Sequence, residues 1–224
     1  MANSSMLRDL AIKSNEKQKV AVIYNGINIE HFRPSEQPKT DNNFTILCAS
    51  RLSRRKGFNY VISAFSKIQE KYPDTRLVIA GGEGNAEQEL KDQAEKLKLE
   101  NKITFTGFIT PNTEFLKYYN GSHVFVLPSL NEGMSNNMLE AMASGMPIIM
   151  TPTGGAEELV KDGINGYIVK FKDSADIAEK ISKLINNPEL CKKMGEESRK
   201  IAQILSWKSV AEKYQQLYKE LSES

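Results

Sequence analysis

Seven short apolar runs, each separated from the next by polar or amphipathic sequence, constrain the fold of this chain more than any other feature. They fall at 20–24, 45–49, 76–80, 103–106, 124–127, 147–150 and 166–169. Between them, apolar residues recur at helical spacing over 58–70, 86–98, 112–120, 136–144 and 174–186, with a short turn near 156–160. Strands that alternate with helices build βαβ units, so the pattern predicts an α/β fold: a doubly wound, Rossmann-like parallel sheet covered on both faces. Such sheets bind ligands at the carboxyl ends of their strands, and the motifs below all fall there.

The ends of the chain read differently. Residues 34–43 are polar and contain two prolines, the composition of a linker. Upstream lie only a candidate helix at 5–13 and the run 20–24, too little to bury a core alone. Two further helices, 189–204 and 207–221, follow the last strand with no strand between them. The reading is therefore three parts: 1–43, a main domain over 44–205, and a terminal helix over 206–224.

Thirty basic and 28 acidic side chains leave a net charge of +2, so bulk charge argues against a nucleic-acid partner. Two distant cysteines, with no CxxC pair, give a reduced, intracellular pattern in which zinc is not expected. No run approaches the ~18 apolar residues of a membrane span, and the polar start is not a signal peptide. The expected location is cytoplasmic, with peripheral contact at the inner face of the membrane also compatible.

Chemistry concentrates in two loops. After the run 124–127 comes Pro128-Ser129-Leu130-Asn131-Glu132-Gly133-Met134-Ser135-Asn136, then a helix carrying Glu140, eight positions beyond Glu132. A helix start presents unpaired amides and a favourable dipole to phosphate. Glu132 and Glu140 then flank a phosphorylated ligand, and ionised carboxylates suit recognition of neighbouring hydroxyls. The alternative is a plain loop acid and an exposed helix acid. The second loop, Ser50-Arg51-Leu52-Ser53-Arg54-Arg55-Lys56-Gly57, offers a planar fork at Arg51 and a mobile point charge at Lys56, a pair suited to a diphosphate. A solvated basic loop is the alternative there.

Weaker signals are the glycine turns 80–84 and 153–155, read as tight turns or as close approaches to a ligand. Residues 106–109 could set apolar surface and backbone polar groups against a base, with ordinary core packing the favoured reading for Phe108; Met134, Met138 and Met142 read as core. His31 and His123 read as structural.

The segments "SRLSRRKG", "LVIAGGEGNAEQEL", "ITFTGF", "PSLNEGMSNNMLEAMASGMPIIMTPTGGAEELVKDGINGYIV" and "SWKSVAEKYQQLY", in that order, closely resemble the C-terminal half of retaining GT-B glycosyltransferases of group 1, family 4. The resemblance runs from about residue 20 to the end. "VIYNGINIEHFRP" resembles the family's interdomain crossing, with Asn28 where an Asp is usual, a change expected to touch the linker and not the donor site.

The resemblance implies roles. Glu132 would hold hydroxyls of the donor sugar, with the Gly133 and Met134 amides beside it. Glu140 would hold the ribose diol. Arg51 and Lys56 would clamp the diphosphate, with Ser135 and Asn136 offering helix-start amides. Ile109 corresponds to a residue whose backbone contacts the base. No metal or other cofactor is required by the motifs. The implied partners are a nucleotide-sugar donor, a glycan or lipid-linked glycan acceptor, and an N-terminal GT-B half that is missing here, toward which the terminal helix would pack. The implied activity is sugar transfer with retention, incomplete without that half. A non-catalytic nucleotide-sugar or docking module, and a GT-B sugar-nucleotide epimerase, are the alternatives.

Overall fold

The computed structural model describes residues 1–36, 43–82, 84–109 and 113–223. Most of the linker reading, Glu83 of the first glycine turn and the first residue of the helix expected over 112–120 lie outside the described residues.

Helix α1 (Ser5–Ser14) precedes the sheet domain. There β1 (Phe44–Ala49) leads through a single 3-10 turn to α2 (Phe58–Lys71), followed by β2 (Thr75–Ala80), α3 (Glu87–Lys96), β3 (Ile103–Phe105), α4 (Thr113–Gly121) and β4 (Val124–Leu127). Then come α5 (Asn136–Ala143), β5 (Ile148–Met150), α6 (Gly155–Leu159), β6 (Gly166–Ile168), α7 (Ser174–Ile185), α8 (Pro188–Gln203) and α9 (Trp207–Ser222). The six strands are all parallel, in the order β3-β2-β1-β4-β5-β6.

Local chemistry explains these elements. Ile46, Leu47, Cys48 and Ala49 are all fully buried, as are the four residues of β4. Successive strand residues point to opposite faces, so burial of every one means that helices cover both sides. Helix α2 presents Val61, Ile62, Phe65 and Ile68 to the core and packs against α7, while α5 packs against α8. Asp173 starts α7 by accepting from the amides of Ala175 and Asp176; Asn187 starts α8 with Pro188 as its first residue.

One strand expectation is corrected. Residues 20–24 form no ladder, only a single bridge between Ala2 and Val22, so they are not a seventh strand of the sheet. A strand needs a continuous neighbour to satisfy its amides, and the edges of this sheet are β3 and β6.

Two devices hold the crossing segment. The Ile27 amide donates to Leu205 O at 2.9 Å and the Trp207 amide to Ile27 O at 3.3 Å, while the Trp207 ring lies on Gly26. Arg199 on α8 reaches three backbone carbonyls, Phe32 and Ala143 at 2.7 Å and Ile29 at 2.9 Å. A guanidinium spends its fixed fork well on such a cluster. Asn28 accepts from the amides of Glu30 and His31, an Asx turn that an aspartate would make equally.

Arg199→Met should therefore destabilise the protein by about 2–3 kcal/mol, since carbonyls lose charge-assisted donors. Urea denaturation followed by circular dichroism measures this; a change below about 0.5 kcal/mol, ordinary for a surface substitution, would contradict the role.

Candidate functional site

Strand β1 has β2 on one side and β4 on the other, so the chain reverses its direction of travel across the sheet at the β1–β4 boundary. Loops leaving the carboxyl ends of those two strands diverge and leave a crevice. The two loops singled out above are the ones that leave there.

They are pinned together. The Leu130 amide donates to Arg55 O at 2.7 Å. Gly57 has φ +73°, and a Cβ on it would lie 2.2 Å from Pro128 O, so the approach requires glycine. Lys56 and Glu132 form an ion pair, each side chain only 12% exposed. The Ser129 hydroxyl donates to the same Glu132 oxygen at 2.7 Å, and the Thr151 hydroxyl holds the Ser129 carbonyl in turn. The sequence assigned Lys56 and Glu132 to different parts of a ligand; in the unliganded protein they are each other's partners. Arg51 is exposed; its carbonyl accepts from the Ser53 amide at 2.8 Å, and its side chain pairs with no described residue.

The next residues have the geometry that suits an anion. Ser135 caps α5, its hydroxyl accepting from the Met138 amide at 3.3 Å. The amides of Gly133, Met134, Ser135, Asn136 and Asn137 donate to no described residue. Unpaired amides at a helix start, beside a lysine, suit an anion. Asn136 carries a second contact: its Oδ1 accepts from Asn25 at 2.8 Å.

Glu140 sits one turn further along α5 in a different environment. Tyr119 OH donates to its Oε2 at 2.7 Å, and Asn137 donates to the Tyr119 oxygen at 3.3 Å. Burial raises the pKa of Glu140, against the smaller lowering effects of the Tyr119 hydrogen bond and of nearby His31. Sequence reasoning missed Tyr119, Asn137 and Asn25, which no periodic signal marks. It read His31 only as structural, and the Asn28 turn brings that residue near Glu140.

Other expectations resolve against function or core. Gly154 does not reach toward a ligand: a Cβ there would lie 1.8 Å from Gly133 O, and the Gly155 amide donates to that carbonyl at 2.7 Å. Gly81 and Gly84 meet the carbonyls of Ser50 and Leu52 in the same way. Phe108 is 65% exposed rather than core, while Ile109 behind it is buried. Met134, Met138 and Met142 are core, as expected. A cavity of about 1000 Å³ lies at the opposite, amino-terminal end of the strands, lined by Phe44, His123 and Pro147. It touches neither of the two loops. Among the described residues no cluster of His, Cys, Asp and Glu is arranged to hold a metal ion, and no helix is long and apolar enough to cross a membrane.

The family model "Glycosyl transferases group 1" matches residues 29–201. A Bacillus subtilis protein named as the glycosyltransferase EpsD is 35% identical over 203 residues, 86% of this chain and 52% of that protein. Among solved structures, Anabaena Alr3699/HepE in complex with UDP and glucose superposes with a TM-score of 0.84 at 28% identity, covering 99% of this chain and 62% of that one. The C-terminal domain of the group 1 protein LpcC from Francisella tularensis gives 0.73 at 29% identity, covering 80% of this chain and 97% of that one. The chain thus spans about half the length of the curated relatives it matches.

The Glu140 environment makes a prediction with a definite sign. Its pKa is raised on folding, so its contribution to stability is complete below the unfolded value and is lost as pH rises through the folded one. The stability of the wild type relative to Glu140→Gln should fall as pH is raised through that window. Carbon-detected NMR titration should place the Glu140 midpoint above the ordinary carboxylate range, and Tyr119→Phe should raise it further. An ordinary or depressed midpoint would contradict the assignment.

Proposed function

The chain belongs to the group 1 glycosyltransferases, and on that premise we propose that it is the donor-binding part of a glycosyltransferase. It binds a nucleoside-diphosphate sugar and transfers the sugar, with retention, to a glycan or lipid-linked glycan acceptor. The observation that carries this reading is the crevice between β1 and β4. There a lysine, a carboxylate and five unpaired amides converge within two loops. Binding of UDP and glucose by the Anabaena neighbour supports a nucleotide-sugar ligand.

In this reading Lys56 and Arg51 meet the diphosphate, together with the amides at the start of α5. Their positive charge stabilises the diphosphate as the sugar–oxygen bond breaks, so they do what a metal does elsewhere. Glu132 takes sugar hydroxyls, beside the Gly133 and Met134 amides. Glu140, held by Tyr119, takes the ribose diol, and the backbone of Ile109 lies toward the base. A carboxylate must be ionised to accept from both hydroxyls of a diol. Nucleotide binding should therefore weaken on acidification through the raised Glu140 pKa.

The acceptor surface belongs to an N-terminal half, as does the closure that dries the cleft. Holding two reactants together is worth roughly 7–11 kcal/mol of barrier. The chain alone should accordingly bind donor but transfer little sugar, at the cytoplasmic side of the membrane in the cell.

Calorimetry with nucleoside diphosphates and nucleotide sugars tests the site. Arg51→Ala with Lys56→Ala should weaken binding about ten- to a hundredfold, from the loss of charge-assisted hydrogen bonds at roughly 1.5–3 kcal/mol each. Unchanged affinity in a folded double variant refutes the clamp. Glu140→Gln should weaken free nucleotide and nucleotide sugar alike, Glu132→Gln only the latter. Equal losses for the bare diphosphate in both variants would remove the division between the acids. Turnover by the chain alone at ~1 s⁻¹ or more, an ordinary enzyme rate, would overturn the dependence on an N-terminal half.

A further inference from the structure

Helix α5 carries both the unpaired amides at its start and Glu140 further along, and the crossing segment is fastened to it at both ends. At the start of the helix, Asn25 donates to Asn136 Oδ1 at 2.8 Å. At its end, one guanidinium nitrogen of Arg199 serves Ala143 O and Phe32 O, both at 2.7 Å, and the other reaches Ile29 O at 2.9 Å. Ala143 is the last residue of α5, so this single side chain ties residues 29–32 to the helix that bears the acid. Between those two points the Phe32 ring stands edge-on to the Tyr119 ring, centroids 5.8 Å apart at 86°. His31 packs edge-on against Phe32 in turn, at 4.7 Å.

The Phe32 contact matters because of what Tyr119 does. Tyr119 is buried, and among the described residues its hydroxyl is the only donor to the Glu140 carboxylate, at 2.7 Å from Oε2. Glu140 is itself half-buried, and its other oxygen accepts from no described residue, so the carboxylate keeps one oxygen for a ligand. A hydrogen bond weakens steeply as its angle closes, so the aim of that oxygen depends on where the Tyr119 ring sits. Three rings set it: Phe125 of β4 at 6.4 Å, Phe115 one turn back on α4 at 5.9 Å, and Phe32. Of these, Phe32 alone comes from the segment that precedes the sheet domain, and its edge-to-face contact is a directional one.

We infer that Phe32 is a positioning residue for recognition of the ribose diol. It holds Tyr119, and through it the Glu140 carboxylate, in the orientation that receives the hydroxyls, while Arg199 holds Phe32 against α5. The inference rests on the donor-site reading above, in which Glu140 takes the diol. Phe32 touches no ligand and acts only through Tyr119. Lys56 and Glu132 are held instead by Ser129 and by the contact of the two loops, none of which involves residues 29–32. A shift of the crossing segment therefore acts on the ribose end of the ligand and leaves the diphosphate end in place.

Calorimetry with UDP, GDP and ADP, each beside its 2′,3′-dideoxy analogue, tests this, because the analogue keeps base and diphosphate but lacks the diol. The readout is the ratio of the two affinities for whichever base the wild type binds. The wild type should favour the ribonucleotide. Phe32→Ala should lower that preference about three- to tenfold, the scale of one hydrogen bond, with the dideoxy affinity nearly unchanged. Tyr119→Phe should do the same, and adding Phe32→Ala to Tyr119→Phe should change the ratio no further, since the first residue acts through the second. Phe32→Leu keeps most of the bulk, so it should give a smaller loss in the same direction, and it replaces Phe32→Ala if that variant does not fold. An unchanged preference, equal losses for both nucleotides, or additive effects of the two substitutions overturn the positioning role while the donor-site reading stands. A wild type indifferent to the diol, or one that binds no nucleotide, overturns the ribose assignment of Glu140 as well.

Discussion

The reversal of strand order at β1 and β4 is the constraint from which the site follows. On either side of that boundary the chain moves outward through the sheet, so no helix crosses between the two strand ends. The loops left there must satisfy themselves, and they do so against each other: Leu130 to Arg55, Gly57 under Pro128, Lys56 to Glu132. A shielded ion pair of this kind has a large desolvation cost to recover, and it is weak evidence for stability as such. Its value is in poise. In the proposed donor site, an incoming diphosphate would offer Lys56 a stronger partner and release Glu132, already oriented by Ser129, to hydroxyl groups.

The two acids illustrate how one residue type acquires two behaviours from its surroundings. Glu132 has a cation and a serine hydroxyl; Glu140 has a phenol, a half-buried amide and little water. Burial raises the pKa of Glu140, yet Tyr119 donates a hydrogen bond that favours the ionised form. That bond works in one direction because Tyr119 is itself buried and far from losing its proton. The pair is a fixed donor and acceptor, suited to holding a ligand group in one orientation.

Much of this architecture was legible in the sequence, and the failures have two causes. Helix and strand periods mark α2, α7 and the buried strands because each is a local pattern repeated over many residues. The strand-end loops were visible through Gly57, Pro128 and Gly133, since backbone turns need particular residues. Contacts that join distant, isolated residues left no such trace. Arg199 finding three carbonyls, Tyr119 finding Glu140, and Ser5 finding Glu158 each depend on one pairing across the fold. Residues 20–24 misled for the opposite reason: their apolar run fits a strand, but no neighbouring strand is present to complete it. Phe108 misled in the same way, as an aromatic residue in an apolar context that nonetheless points outward.

The glycines sharpen this distinction between what a loop needs and what a ligand needs. Gly81, Gly84 and Gly154 all stand at strand ends in a Rossmann-like architecture, where close backbone approach to a ligand is the ready interpretation. Each is instead consumed by a neighbouring loop, against Ser50, Leu52 and Gly133 respectively. Gly133 is itself covered by Leu7 and Asn3 on one side and by Gly154 on another. The loops are thus packed as tightly as backbone allows, and what remains after that packing is a row of amides from 133 to 137 with no partner among the described residues. Tight loop packing therefore fixes the direction of those amides before any ligand arrives. Donors fixed in advance need no reorganisation when charge develops beside them, which is where an electrostatic site gains most of its effect.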